Sequence, residues 1–386
     1  MASRRTRWLV VVVLVSALGL CLGAGPASAG QRSRSEVRLA RALRAVVHAG
    51  IPGAAAVRRG PDRVHLVTAG IRQRGHRPPI GLHDSFRIAS VTKTFGAVLV
   101  AQLAGEGRLR LRDKVSRWLP GLLAHGDEIT IAQLLQHTSG LPDYLLDPDF
   151  VPAASADLLR RWTPRELLAY VASDPLLFRP GSRYHYSDSD NIVIGLIVER
   201  VSHRSFARAL RQRIFRPLRL RDSFLPSGTA LGNPFVHGYQ YEELEGRGPL
   251  VDLSRAISPT FAWASGAIVS TLADLSRFWT GLFGGRLVEQ RVLRRMTTHL
   301  IAGGGQPLGP GRNRSGLGIF AWRMRCGTLF GHTGNFPGYQ LLSGATRNGR
   351  AAIVVLANAT GTTERAQRLQ TAAYRRAACQ AIRAAR

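Results

Sequence analysis

The chain has 386 residues, 45% hydrophobic and 20% charged, which is ordinary globular composition for one large domain or two smaller ones. Its 53 lysines and arginines against 24 acids give a net charge of +29, enough to attract an anionic polymer or surface. Yet lysine occurs only at Lys93 and Lys114, and the arginines are spread along the chain with no basic arm and no basic stretch interleaved with aromatics. The charge therefore reads as an arginine bias, and nucleic-acid binding is set aside.

The N-terminus differs from the rest. Arg4, Arg5 and Arg7 precede an apolar run over 8–22, and Ala27-Ser28-Ala29 offers a small-x-small cleavage site. This is the layout of a secretory signal peptide over 1–29, leaving an exported mature chain of 30–386. The alternative is an uncleaved membrane anchor, for which the run is short against the ~20 residues of a bilayer span. No later segment is apolar enough to cross a membrane. Cleavage removes three arginines and no acids, so the mature chain stays strongly basic. It also leaves two cysteines, Cys326 and Cys379, which in an exported chain can form one disulfide, the alternative being two separate thiols.

Along the mature chain, Val37, Ala40, Leu43 and Val47 recur at helical spacing. Segments 54–59 and 63–72, parted by Gly60-Pro61-Asp62, predict a hairpin. Ser90 opens a helical pattern that Gly105 and Gly107 stop. Residues from about 115 to 265 read as helix and loop. Thr163-Pro164-Arg165-Glu166 is a capped helix start, 191–201 is an apolar helix, and Thr271 and Asp274 begin another to about 283. Strand character returns in 338–347 and 350–358 around Asn348-Gly349, the strongest short hairpin signal. A helix over 363–385 ends the chain. Strands at both ends pair most simply into one antiparallel sheet flanked by helices, with the central helices inserted. That is an α+β fold, its sheet part from about 30–114 and 266–386 and its helical part from about 115–265.

Chemistry is concentrated at Ser90-Val91-Thr92-Lys93. A serine hydroxyl needs a base. Residues three apart on a helix share a face, and a lysine buried against an apolar helix surface loses charge more readily. In a chain that otherwise uses arginine, a lysine here suggests a need for a tunable proton. Further along, Pro180-Gly181 turns into a segment carrying Tyr186, a phenol that a nearby ammonium can help to ionise into a base. Gly331-His332-Thr333-Gly334-Asn335 offers small residues on an edge strand where a substrate backbone can approach.

In this order, Ser-x-x-Lys at Ser90, Tyr-Ser-x at Tyr186 and His-Thr-Gly at His332, the chain resembles the serine β-lactamase and penicillin-recognising superfamily. The branch it is most similar to holds class C β-lactamases, streptomycete-type D-alanyl-D-alanine carboxypeptidases and related esterases. Phe86-Arg87-Ile88-Ala89 before Ser90, Leu134 to Leu141 with His137-Thr138-Ser139-Gly140, and Phe336-Pro337-Gly338-Tyr339 after Asn335 extend the likeness over the mature chain. The resemblance implies a β-lactamase/transpeptidase-like fold, no metal and no cofactor. It implies that Ser90 is acylated, that Lys93 and Tyr186 share the proton transfers, and that His332, Thr333 and Gly334 line the strand meeting substrate. The backbone N–H groups of Ser90 and Asn335 would form the oxyanion hole.

Two positions depart from the family pattern. Asp188 stands where an asparagine usually contacts substrate; a carboxylate cannot donate at neutral pH but can pair with Lys93. His332 stands where β-lactamases carry lysine, and a neutral imidazole holds a substrate carboxylate less firmly. Ser189-Asp190-Asn191 spells the Ser-Asp-Asn element of class A β-lactamases, a register the tyrosine motif argues against. Ser139, without a nearby lysine in sequence, reads as a loop residue, and Lys114 as a solvated charge. No Gly-x-Ser-x-Gly elbow, zinc-type histidine spacing or phosphate-cradling loop is present. The expectation is an exported serine hydrolase acting on a small-molecule or peptide substrate. D-alanyl-D-alanine carboxypeptidase or β-lactamase-like activity comes first, an esterase of the same site second, and a non-catalytic cell-wall binding protein third, with an anionic cell-wall polymer as partner.

Overall fold

The computed structural model describes residues 33–304 and 313–386, so the expected signal peptide lies outside the described residues. The chain opens with α1 (Arg34–His48), whose Ser33 and Glu36 form a capping box. The hairpin β1 (Gly53–Arg59) and β2 (Val64–Gly70) follows, pairing in register from Gly53↔Gly70 to Arg59↔Val64. Then come β3 (Ser85–Arg87), α2 (Thr92–Gly105), α3 (Ile131–Gln136), α4 (Pro164–Ala169) and α5 (Asp188–Ser202). The chain returns through β4 (Val269–Thr271), which pairs with β3, and continues into α6 (Leu272–Phe283). A meander follows: β5 (Ile301–Ala302), β6 (Asn313–Ser315), β7 (Phe320–Met324), β8 (Gly327–Phe336), β9 (Tyr339–Ala345) and β10 (Ala352–Ala357). The last element is α7 (Glu364–Ala384).

The two chain ends build one antiparallel sheet of eight strands in the order β2-β1-β10-β9-β8-β7-β6-β5. Its central strands β1, β10 and β9 are largely buried on both faces, so the alternation of side chains sorts them into two cores. Ala55, Val57, Val354 and Leu356 share a core with Leu275, Phe278 and Leu282 of α6, and Phe278 stacks on Phe95 of α2. Ala54, Ala56, Ile353 and Val355 pack with Leu39 and Leu43 of α1 and Ala373 and Ala377 of α7. The fold is thus the expected α+β arrangement, with helices inserted between strands from the two ends.

Local signals acted as the residues require. Thr163 accepts a hydrogen bond from the Glu166 N–H with Pro164 at the first helical position, and Thr271 accepts from Asp274. One boundary moved. The helix expected from Ser90 begins at Thr92, because Ala89–Val91 form a tighter 3-10 turn. A hairpin at Tyr239–Glu243 and Arg247–Asp252, joined by Ala359–Thr360, had no expectation from the sequence.

Cys326 and Cys379 are joined, with Cα atoms 5.5 Å apart, tying the start of β8 to α7 across a separation of 53 residues. A loop of that length costs about 4 kcal/mol of unfolded-state entropy in the chain-entropy treatment, and measured values fall near 2–4 kcal/mol. Urea unfolding of a Cys326→Ala, Cys379→Ala double variant should show a loss in that range; an unchanged midpoint would mean the bond constrains nothing.

Candidate active site

Ser90 is the half-buried middle residue of the 3-10 turn Ala89–Val91. Ala89 before it has φ 50°, a left-handed conformation costly for a residue with a Cβ. The turn is held from several sides. The Ile88 N–H donates to the Ile268 carbonyl at 3.0 Å, and the Ile268 N–H donates to the Thr92 hydroxyl at 3.2 Å. The Thr94 hydroxyl donates to the Gly318 carbonyl at 2.8 Å.

Lys93, one helical step on, is fully buried. Its Nζ is 3.0 Å from Ser90 Oγ, 2.8 Å from Asp188 Oδ1 and 2.9 Å from the Ser265 carbonyl. An ammonium has three N–H groups, and three acceptors surround it. The same three neighbours also satisfy a neutral amine, because the Ser90 hydroxyl can turn and donate to the nitrogen lone pair. The site can therefore move the Ser90 proton onto Nζ without leaving a buried polar group unpaired. Asp188 supplies the charge that makes burying an ammonium tolerable. The Ser265 carbonyl reaches Nζ because Gly195 lets α5 close onto the helix Trp263–Gly266: a Cβ there would lie 2.5 Å from the Trp263 ring.

Tyr186 is also hydrogen-bonded to Ser90, and its ring centroid is 4.9 Å from Lys93 Nζ. The expected help from the ammonium meets a stronger opposing effect. Burial first, then the Asp188 charge, push the phenol well above its ordinary range, against the hydrogen bond from Ser90. Burial beside Asp188 thus favours the phenol form of Tyr186, which has a proton to give.

The far wall is β8. Residues 327–331 pair with β7, but β8 beyond Gly331 pairs only with β9, leaving 332–336 as an open edge. Gly334 packs directly on the Ser90 turn; a Cβ would lie 2.5 Å from the Ile88 carbonyl oxygen and 3.1 Å from Ala89 Cβ. Thr333 is half-buried and Asn335 exposed on this edge. His332 is buried, its Nδ1 2.6 Å from the Thr333 carbonyl. A carbonyl only accepts, so Nδ1 carries the proton. Burial pushes His332 down to about 3, opposed by the Thr333 bond and helped by the Lys93 charge. The position presents a neutral imidazole.

A second buried group backs Tyr186. His137 stacks on its ring at 4.4 Å between centroids, and His137 Nδ1 lies 2.9 Å from Asp190 Oδ2. The Ser187 N–H approaches the same Nδ1 at 3.4 Å. The Ser139 hydroxyl donates to Asp190 Oδ1 at 2.5 Å and accepts from the Leu141 N–H at 3.0 Å. Burial accordingly raises Asp190 well above the carboxylate range and lowers His137 to about 3. Ser139 is a loop-holding residue, as expected, and the Ser189-Asp190-Asn191 register gives no hydrogen bond to Ser90 or Lys93. Asp143, which the sequence reading passed over, accepts from the Leu145 N–H at 3.1 Å; burial and the Asp188 charge push it up to about 7. Among the described residues no cluster of three or more histidine, cysteine or acidic side chains could hold a metal ion, and no helix is long and apolar enough to cross a membrane.

The model of the family described as Beta-lactamase matches residues 39–377. Penicillin-binding protein 4* of Bacillus subtilis is 25% identical over 337 residues, 81% of this chain and 69% of that one. Esterase EstB of Burkholderia gladioli is 36% identical over 178 residues, 44% of this chain and 45% of the esterase. A crystal structure of a D-stereospecific amidohydrolase from a Streptomyces species superposes with a TM-score of 0.77 at 32% identity, covering 87% of this chain and 97% of that one.

Two outcomes follow from the proton positions. An asparagine reproduces the donor and acceptor pattern of a protonated Asp190, so Asp190→Asn should keep its melting temperature and kcat/KM close to those of the parent. Asp190→Ala should lose about 2–3 kcal/mol by orphaning Ser139 and His137; a large loss in Asp190→Asn would mean an ionised pair instead. For His332, the unfolded side chain takes up its proton near 6.5 and the folded one only near 3. Its burial should therefore cost stability progressively as pH falls between those values, and nothing above them. Chemical unfolding of the parent against His332→Asn across pH 7.5 to 4 reads this as a difference that shifts against the parent on acidification; a constant difference would contradict it.

Proposed function

Because the chain belongs to the beta-lactamase family of serine hydrolases, we propose that Ser90 is its acylated nucleophile and that it cleaves amides and esters with an uncharged leaving group, D-aminoacyl amides foremost. The observation that carries the reading is the hydrogen-bonded set of Ser90, Lys93 and Asp188, in which a base touches the nucleophile and a carboxylate touches the base. As Ser90 Oγ attacks the carbonyl, its proton passes to Nζ while Nζ yields one toward Asp188, so Lys93 needs no neutral resting state. Tyr186 gives its phenolic proton to the leaving nitrogen or oxygen and recovers from Lys93 the proton that Ser90 gave up. The N–H groups of Ser90 and Asn335 would hold the oxyanion, each worth about 3–4 kcal/mol in other hydrolases. Water then enters where the leaving group was and reverses the transfers.

Selectivity for a neutral leaving group rests on His332. Both D-Ala-D-Ala peptides and penicillins present a carboxylate on that side. A hydrogen bond from a charged donor contributes about 1.5–3 kcal/mol, and His332, its one proton turned to the Thr333 carbonyl, offers no such donor, so lacking an ammonium costs roughly tenfold or more in affinity. The D-stereospecific amidohydrolase and EstB are relatives of the kind this site would suit. The second reading is the carboxypeptidase or β-lactamase activity that penicillin-binding protein 4* brings to mind, with secretion to meet cell-wall peptides. The third, a non-catalytic wall-binding protein, has no need of the buried Lys93 and Asp188 pair.

Turnover of D- and L-phenylalanine amide, p-nitrophenyl acetate, a D-Ala-D-Ala peptide and benzylpenicillin separates these readings. The expected result is hydrolysis of the ester and the D-amide, at least tenfold above the carboxylate-bearing substrates. Rates should fall on the order of 10³-fold or more in Ser90→Ala and Lys93→Ala. Rapid acylation by benzylpenicillin without D-amide turnover would establish the second reading, and folded protein inert to all five the third.

A further inference from the structure

The face of the sheet opposite α2 is covered by α1 and α7, and these two helices carry nine arginines against two carboxylates, where the whole chain has 53 basic residues to 24 acidic. Both acids are already engaged: Glu36 with His65 at 2.8 Å and Glu364 with Arg368 at 2.7 Å. Between the helices runs a groove of about 590 Å³. Arg34 and Arg38 form one wall and Arg375, Arg376 and Arg383 the other, with Ser35 and Gln380 between them. The walls are tied by a hydrogen bond from Gln380 Nε2 to the Ser35 carbonyl at 2.6 Å. None of the five arginines has an ion-pair partner among the described residues. Arg375 and Arg383 lie about 12 Å apart along α7 at 1.5 Å per residue.

We infer that this groove binds a linear phosphodiester polymer of the cell envelope, holding the enzyme by the face of the sheet away from its catalytic cleft. Forked guanidinium groups on both walls suit a chain of phosphates entering lengthwise. The shape and composition disfavour two other polyanions. A membrane-inserting helix pair needs large apolar residues outward, and Val37 is the one exposed large hydrophobic residue on α1 or α7. Single-stranded nucleic acid is gripped by aromatic stacking, and no aromatic side chain lines the groove. The groove floor is also fixed to the site: Cys379 lines it and is bonded to Cys326 at the start of β8, the strand that carries His332. Polymer seated there leaves the open edge of β8 clear for substrate.

The test is calorimetric titration of the full protein with poly(glycerol phosphate) at several salt concentrations. Five phosphate contacts on a flexible chain predict a slope of log K against log salt of about −3 to −4. Arg38→Glu with Arg376→Glu should weaken binding at least tenfold and flatten the slope. Arg211→Glu with Arg216→Glu, in a separate arginine-lined cleft near Phe215 and Phe224, should leave binding unchanged. Hydrolysis of p-nitrophenyl acetate should be the same in all three proteins, which also reports folding; Arg34→Gln with Arg383→Gln repeats the test if the reversal variant unfolds. Equal losses in both charge-reversed pairs would reduce the effect to net charge and overturn the inference. So would tighter binding to phosphatidylglycerol vesicles or to oligothymidylate than to poly(glycerol phosphate), which would assign the face to a membrane or to nucleic acid.

Discussion

A lysine with no access to water sits at the centre of this molecule, and three separated parts of the chain are needed to keep it there. An isolated buried ammonium costs many kcal/mol, and removal of one partner from a buried pair typically costs 3–5. Lys93 meets that constraint through Asp188 at the head of α5, the Ser265 carbonyl on a short helix some 70 residues later, and Ser90 on its own turn. Each partner demands something of the surrounding structure. Asp188 requires α5 to start beside α2. Ser265 requires the close approach that Gly195 allows. Ser90 requires the left-handed Ala89, which the end of β8 braces through Gly334.

The same economy of charge shapes the rest of the cleft. Beside the Lys93–Asp188 ion pair, the other buried groups lean toward their neutral forms. Tyr186 is kept as a phenol, His332 and His137 as imidazoles and Asp190 as a carboxylic acid, each by burial first. Neutral groups of this kind give and take protons without changing the net charge of a dry pocket. The consequence for chemistry is a site able to activate a hydroxyl but poorly equipped to grip an anionic substrate. On the other face of the sheet α1 and α7 expose arginines to solvent and, apart from Gln370 and Tyr374, bury aliphatic and small side chains.

Much of this was legible in the sequence, for identifiable reasons. The Asn348-Gly349 and Gly60-Pro61-Asp62 turns fix their hairpins locally, and Thr163 and Thr271 announce their helices by capping. Ser90 and Lys93 stood out because they are close in sequence and because lysine is otherwise almost absent. Asp188 could be suspected as a partner of Lys93 because a carboxylate occupies an amide position. What could not be read depends on contacts that leave no residue-type signature. The Ser265 carbonyl is backbone, and any residue there would supply it. The preference of Asp190 for its protonated form follows from burial, which no residue type announces. The neutral state of Tyr186 reflects how deeply the phenol is buried beside Asp188, whereas sequence reasoning weighed only its nearness to an ammonium. The pairing of strand 239–243 with 359–360 joins segments far apart in the chain with no pattern to link them.

The central claim is that Lys93, held by Asp188, makes Ser90 the nucleophile. Intact-mass measurement after treatment with a fluorophosphonate, followed by peptide mapping, tests it most directly. The account predicts a single adduct on the peptide containing Ser90, formed quickly in the parent and very slowly when Lys93 is replaced by methionine, with Ser139 unmodified. Adduct formation at another serine, or labelling of Ser90 at an undiminished rate without the lysine amine, would contradict it.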